Sequence, residues 1–148
     1  MTLVLLRLNV YMLWYPLSSM STRPSVMVVD DEKELANLYG LFLERSGFNS
    51  VSFTDPLSAL DHYSQNHDKY SVVIMDWKMP NLDGIQFAKK IREYNTTVKI
   101  LLITAYSTDK SFKEEVYREA RISDVIEKPF KFKDVGPRIT ELCVSKVQ

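Results

Sequence analysis

Cys143 is the single cysteine among 148 residues. A disulfide framework within the chain is therefore excluded, and so is a cysteine-rich zinc site. The two histidines, His62 and His67, stand five apart with no cysteine nearby, and they read as solvated helix residues rather than ligands. Such scarcity of cysteine fits a reducing compartment, and a cytoplasmic location is expected. An excess of one charge is also missing: Lys+Arg and Asp+Glu number 19 each, for a formal net charge of +0. The totals thus offer no electrostatic attraction for nucleic acid or anionic lipid. No internal repeat and no low-complexity segment interrupts the chain. What is present is a 45% hydrophobic content, enough for one core in a chain of single-domain length.

The apolar stretch 3–17, LVLLRLNVYMLWYPL, falls short of the about 20 residues a membrane span needs. Arg7, Asn9 and Pro16 interrupt it, and a charge inside a span is costly. No Lys or Arg precedes it, so it is a poor signal peptide. Residues 1–23 are therefore expected to be an apolar extension. Either it packs on the domain or touches a membrane interface, or translation starts at Met20; the second reading is favoured. Residues 24–146 form the expected domain.

From Pro24 onward, short apolar runs alternate with amphipathic stretches. Residues 26–29 form a buried-strand run that ends in Asp30-Asp31. Leu35, Leu38, Tyr39 and Phe42 recur at helical spacing until Ser46-Gly47. A second strand covers 48–53, and Asp55-Pro56 opens a helix with an N-cap and a first-turn proline. Leu57, Leu60 and Tyr63 are its expected apolar face. Residues 72–75 form a third strand ending in Asp76. A turn-rich loop with Pro80, Asn81, Asp83 and Gly84 follows, then a helix with Ile85, Phe87, Ala88 and Ile91. A fourth strand, 98–103, ends in Thr104; Phe112, Val116 and Ala120 mark a helix. A short strand, 124–127, precedes Lys128-Pro129. The last helix carries Val135, Ile139 and Leu142 and starts near Asp134, where Pro137 does least harm. Five strand–helix units imply an α/β fold: a parallel sheet covered on both faces.

Asp30, Asp31 and Asp76 each lie at the C-terminal edge of an apolar strand, the edge at which open α/β sheets bind ligands. With strand order 2-1-3-4-5, strands one and three are neighbours and the three carboxylates converge. Two unit charges about 4 Å apart repel by about 4 kcal/mol at an effective dielectric of about 20. A hard divalent cation such as Mg²⁺ offsets this and takes oxygen ligands. Lys128 supplies a second positive charge and Thr104 a hydroxyl donor. A carboxylate nucleophile, a metal, an ammonium and a hydroxyl on one rim are what a transferring phosphoryl group needs. Taken singly, each residue also fits a plain role: helix N-terminal charge, a turn, a strand end or a surface lysine. Their joint placement at the ends of four strands favours the chemical reading.

These residues resemble the receiver domains of two-component response regulators, with a CheY-like, flavodoxin-like fold. The likeness rests on VVDDE (28–32), MDWKMPNLDG (75–84), ITAY (103–106) and EKPF (127–130). It implies that Asp76 is the phosphoacceptor. Asp31 would be a direct Mg²⁺ ligand, with Asp30 acting through water, and the backbone carbonyl of Lys78 would be a further ligand. Thr104 would be the responding hydroxyl and Lys128 the partner of the phosphoryl group. A cis Lys128-Pro129 peptide is implied too. The implied donor is a histidine kinase or phosphotransfer protein, and the implied reader is a downstream protein target. A stand-alone receiver, with no nucleic-acid output, is the expectation; it assists its own phosphorylation and dephosphorylation without being a conventional enzyme.

The chain departs from that pattern at Val125, where the family usually carries the aromatic ring that swings inward after phosphorylation. Ala120-Arg121-Ile122 stands where a glycine turn is common. Lys78 and Tyr106 flank the site and are expected to hinder the attacking water, which would prolong the phosphorylated state. Two rivals are an Asp-nucleophile phosphatase of the haloacid-dehalogenase type and a receiver-like module that works without phosphorylation. Lys78 stands where the phosphatase would need its second Asp. The complete acidic set argues against the module, and Val125 argues for it. A flavin module lacks its phosphate loop after strand one.

Overall fold

A computed structural model describes residues 23–105 and 110–144, with the backbone alone for 110–112. The apolar stretch 3–17 and Tyr106 lie outside the described residues, as does the side chain of Phe112. The element order is β1 (Ser25–Val29), α1 (Lys33–Arg45), β2 (Asn49–Phe53), α2 (Pro56–Asn66), β3 (Val72–Asp76), α3 (Gly84–Arg92), β4 (Lys99–Thr104), α4 (Lys110–Ala120), β5 (Asp124–Glu127), a 3-10 turn (Phe132–Asp134) and α5 (Val135–Val144). The strands form one sheet in the order β2-β1-β3-β4-β5, and every neighbouring pair is parallel. This is the expected doubly wound (βα)₅ architecture.

Alternation along the central strands divides the core in two. Met27, Val29, Val73, Met75, Ile100 and Leu102 pack with Ala59 and Tyr63 of α2 and Phe87, Ala88 and Ile91 of α3. Val26, Val28, Val72, Ile74, Leu101 and Ile103 face Tyr39 and Leu43 of α1 and Val135, Ile139 and Leu142 of α5. These strands are apolar throughout because both of their faces are covered. The edge strand β2 is half-polar, and Ser52 Oγ donates to the Ala36 carbonyl at 3.3 Å.

Several local signals act as read. Asp55 caps α2, accepting from the amides of Leu57 and Ser58, with Pro56 in the first turn. Gly47 takes a positive φ of 93° after α1, the left-handed conformation that ends helices. Asp83 does more than turn the chain: its side chain accepts from the Gln86 amide while Gln86 Oε1 accepts from the Asp83 amide, a reciprocal capping box. Arg121 occupies the left-handed region, φ 52°, at the turn where a glycine is common. Arg92 holds that turn from α3, donating to the carbonyls of Arg121 at 2.7 Å and Ala120 at 3.4 Å.

Three expectations need correction. Leu38 and Leu57 are 39% and 51% exposed, so they are not core; the buried stripes run through Ala36, Tyr39 and Leu43 on α1 and Ala59 and Tyr63 on α2. His62 is half-buried and paired with the Tyr70 hydroxyl at 2.7 Å, rather than solvated.

Candidate functional site

β1 and β3 end side by side at the centre of the sheet, with Val29 opposite Met75. Their next residues, Asp30 and Asp76, therefore share one rim with Asp31. The three carboxylates each offer an oxygen, and these oxygens lie within 4.8 Å of one another. Asp30 is 1% exposed and Asp76 8%, whereas Asp31 faces solvent. Burial pushes the Asp30 carboxyl up to about 6; the amide of Glu32, donating at 2.9 Å, works against this, and the charge of Asp76 adds to it. Lys128 approaches from β5 and donates to Asp76 Oδ2 at 3.2 Å. Thr104, 1% exposed, ends β4, and its carbonyl accepts from the Lys128 amide at 2.8 Å. The Lys128-Pro129 peptide is cis. Lys78 is exposed in the loop after β3.

A family model described as "Response regulator receiver domain" matches residues 26–140. The chain belongs to the response-regulator receiver family. It is 32% identical over 114 residues to the alkaline phosphatase synthesis transcriptional regulatory protein PhoP of Bacillus subtilis, covering 77% of this chain and 46% of that protein. It is 31% identical over 117 residues to the transcriptional regulatory protein SrrA of Staphylococcus aureus, covering 79% and 46%. The chain thus spans about half the length of these curated relatives. Among solved structures, the receiver domain of Francisella response regulator 1452 superposes with a TM-score of 0.71 at 29% identity, covering 82% of this chain and 97% of that one. Vibrio cholerae CheY4 superposes with a TM-score of 0.74 at 20% identity, covering 82% and 99%, a likeness of fold. No helix among the described residues is long and apolar enough to cross a membrane.

The receiver's donor set suits Mg²⁺. All three side chains are hard oxygen donors, and the Lys128 ammonium pairs with one of them, Asp76. A bound divalent cation would favour the ionised form of the buried Asp30.

Two contributors to this receiver's site escaped the reading of its sequence. Gly84 opens α3, and its amide donates to the Trp77 carbonyl at 2.7 Å. A Cβ there would run into the Asp76 carbonyl and would stand 3.0 Å from Trp77 Cα. Glycine thus lets the loop close beneath Asp76; the Asp83-Gly84 pair was the signal, read only as a turn. Lys113 of α4 is 6% exposed and pairs with Glu127, next to Lys128, at 3.9 Å. Its position on a charged helix carried no mark of burial.

Proposed function

We propose that this receiver accepts a phosphoryl group on Asp76 from a histidine kinase or phosphotransfer protein, in a Mg²⁺-dependent reaction, and signals to a protein target by conformational change. The observation that carries this reading is the convergence of Asp30, Asp31 and Asp76 with Lys128 bonded to Asp76. Asp31, Asp76 and the backbone carbonyl of Lys78 would hold the ion, with Asp30 assisting through water. When bound, Mg²⁺ neutralises charge on the phosphoryl oxygens. An Asp76 oxygen attacks phosphorus as the donor's phosphorus–nitrogen bond breaks, and the imidazole leaves with the electron pair. Lys128 then pairs with a phosphoryl oxygen and the Thr104 hydroxyl donates to another. Hydrolysis of the acyl phosphate, assisted by the same residues, restores Asp76. The reaction is expected in the cytoplasm, where histidine kinases present their donor domains.

Intact mass spectrometry after incubation with acetyl phosphate tests this. The wild-type chain should gain one phosphoryl group with Mg²⁺, and the gain should vanish with chelator or in Asp76→Asn. An unmodified wild type would favour a module that binds partners without phosphorylation.

A further inference from the structure

With Val125 on β5, the ring contact that joins the phosphoacceptor's neighbour to α4 among the described residues comes from elsewhere. Trp77 directly follows Asp76, and Tyr117 of α4 meets it edge-on, with centroids 5.8 Å apart at 61°. Tyr117 also lines a groove of about 310 Å³ with Lys113, Glu114, Val125 and Glu127. The Tyr117 hydroxyl is buried and has no hydrogen-bond partner. Two further hydroxyls share that condition, those of Tyr39 and Tyr63, but these residues are wedged in the two cores at 1% and 0% exposure. Tyr117 is half-buried and borders open space lined by polar side chains.

We propose that Tyr117 is the ring that couples Asp76 to α4 in this chain, moving between its contact with Trp77 and the groove beside Val125. The inference rests on the receiver reading above. An unpaired buried hydroxyl carries a desolvation penalty, so the resting position is held at a cost. The groove offers a second position in which the hydroxyl meets the carboxylates of Glu114 and Glu127 or water. Two such positions would form the bistable element that a local charge change can bias. Two contacts would carry the bias to Tyr117. Trp77 shares its backbone with the phosphoacceptor, and its amide donates to the Ile103 carbonyl beside Thr104 at 2.9 Å. Lys113 ties α4 to Glu127, the residue before Lys128. The small Val125 side chain leaves the groove open. Tyr117 is thus a positioning residue, with no contact to the reacting atoms.

The test uses the full chain with Mg²⁺ and beryllium fluoride, a phosphoryl mimic. Hydrogen exchange is read over residues 110–120, and phosphoryl uptake from acetyl phosphate by intact mass. Wild-type α4 amides should change their exchange rate by about fivefold on loading. In Tyr117→Ala the change should fall below about twofold, with uptake on Asp76 retained. Tyr117→Phe, which keeps the ring and should fold even if the alanine variant does not, should show an intermediate change of about threefold. A wild-type response in Tyr117→Phe, or in a folded Tyr117→Ala that still takes up phosphoryl, overturns the coupling alone. Failure of the wild-type chain to take up phosphoryl overturns both the coupling and the receiver reading.

Discussion

The two sides of β5 are held in contrasting ways. Toward α5, Arg138 forks onto Asp124 at 2.6 and 2.9 Å and donates to the Val125 carbonyl at 3.1 Å. The loop after Lys128 is clamped there by rings: Tyr39 packs on Phe130 at 6.0 Å and Phe132 at 5.0 Å, and Phe42 stacks on Phe132 at 5.2 Å. Toward α4, the described residues around β5 include a groove, the Lys113–Glu127 ion pair at 3.9 Å and the half-buried Tyr117. Lys128 thus directly follows a strand that is forked by Arg138 on one side and borders a groove on the other. On the proposed coupling, a charge added at Asp76 would meet resistance on the α5 side, which would direct movement toward α4. Tightly packed interiors transmit displacement instead of absorbing it.

The largest expected effect comes from Gly84→Ala, which strikes the loop beneath Asp76 before either side can respond. The added methyl meets backbone at the Asp76 carbonyl and Trp77 Cα, and backbone cannot rotate away as a side chain can. A loss of about 3 kcal/mol in unfolding free energy is expected, at the upper end for overpacking. Phosphoryl uptake should fall with it at temperatures where the variant stays folded. Urea denaturation measures the first and intact mass the second. A variant of wild-type stability would show that the loop relaxes freely, and the contrast between a rigid rim and a yielding α4 side would break.

Asp30→Asn comes next. The folded-state pKa of Asp30, about 6, lies above its ordinary value of 3.8. A carboxyl raised on folding binds its proton more tightly in the native state. Without divalent cation, native stability therefore falls as pH rises from about 4 to about 6 and stays low above that. The asparagine variant lacks this loss. In chelator at pH 7 it should be more stable than wild type by on the order of 2–3 kcal/mol, with the gap closing toward pH 4. Adding Mg²⁺ should stabilise the wild type more than the variant, which keeps Asp31 and Asp76 but lacks the third charge. A gap of the same size at pH 4 and pH 7 would place its origin in packing and not in charge.

Much of this is legible in the sequence. Continuous apolar runs such as VVIM and ILLI mark strands covered on both faces, and a carboxylate, hydroxyl or ammonium just beyond each run marks the rim. Strand order brings Asp30, Asp31 and Asp76 together because parallel neighbours end at the same edge. What stayed hidden depends on contacts between helices and strands distant in the chain. Helical spacing alone admitted Leu38 and Leu57 as core, because it fixes which residues share a face but not which face docks. The meeting of Trp77 with Tyr117 has no sequence signature, and neither does the burial of Lys113. Val125 was visible as a departure; that α4 supplies a tyrosine beside it was not. Arg121 shows the opposite case, a position where the glycine pattern fails while the backbone conformation survives, braced by Arg92.

Tyr39→Phe gives the smallest change and the sharpest comparison with Tyr117→Phe. Both substitutions delete a buried hydroxyl without a partner. On the α5 side the ring is fixed by Phe130 and Phe132, so the hydroxyl has no second position to gain from. Removing it should stabilise the protein by about 1 kcal/mol, the recovered desolvation cost, and leave the α4 response to beryllium fluoride unchanged. Denaturant midpoints and exchange rates measure the two effects. A loss of stability instead would mean that the Tyr39 hydroxyl is paired in solution. Burial holds that phenol above its ordinary range and the charges of Asp30 and Asp76 add to this, so these two are the candidate acceptors. In that case the α5 side would feel the charge at Asp76 directly, through α1, and β5 would no longer be fixed from one side alone.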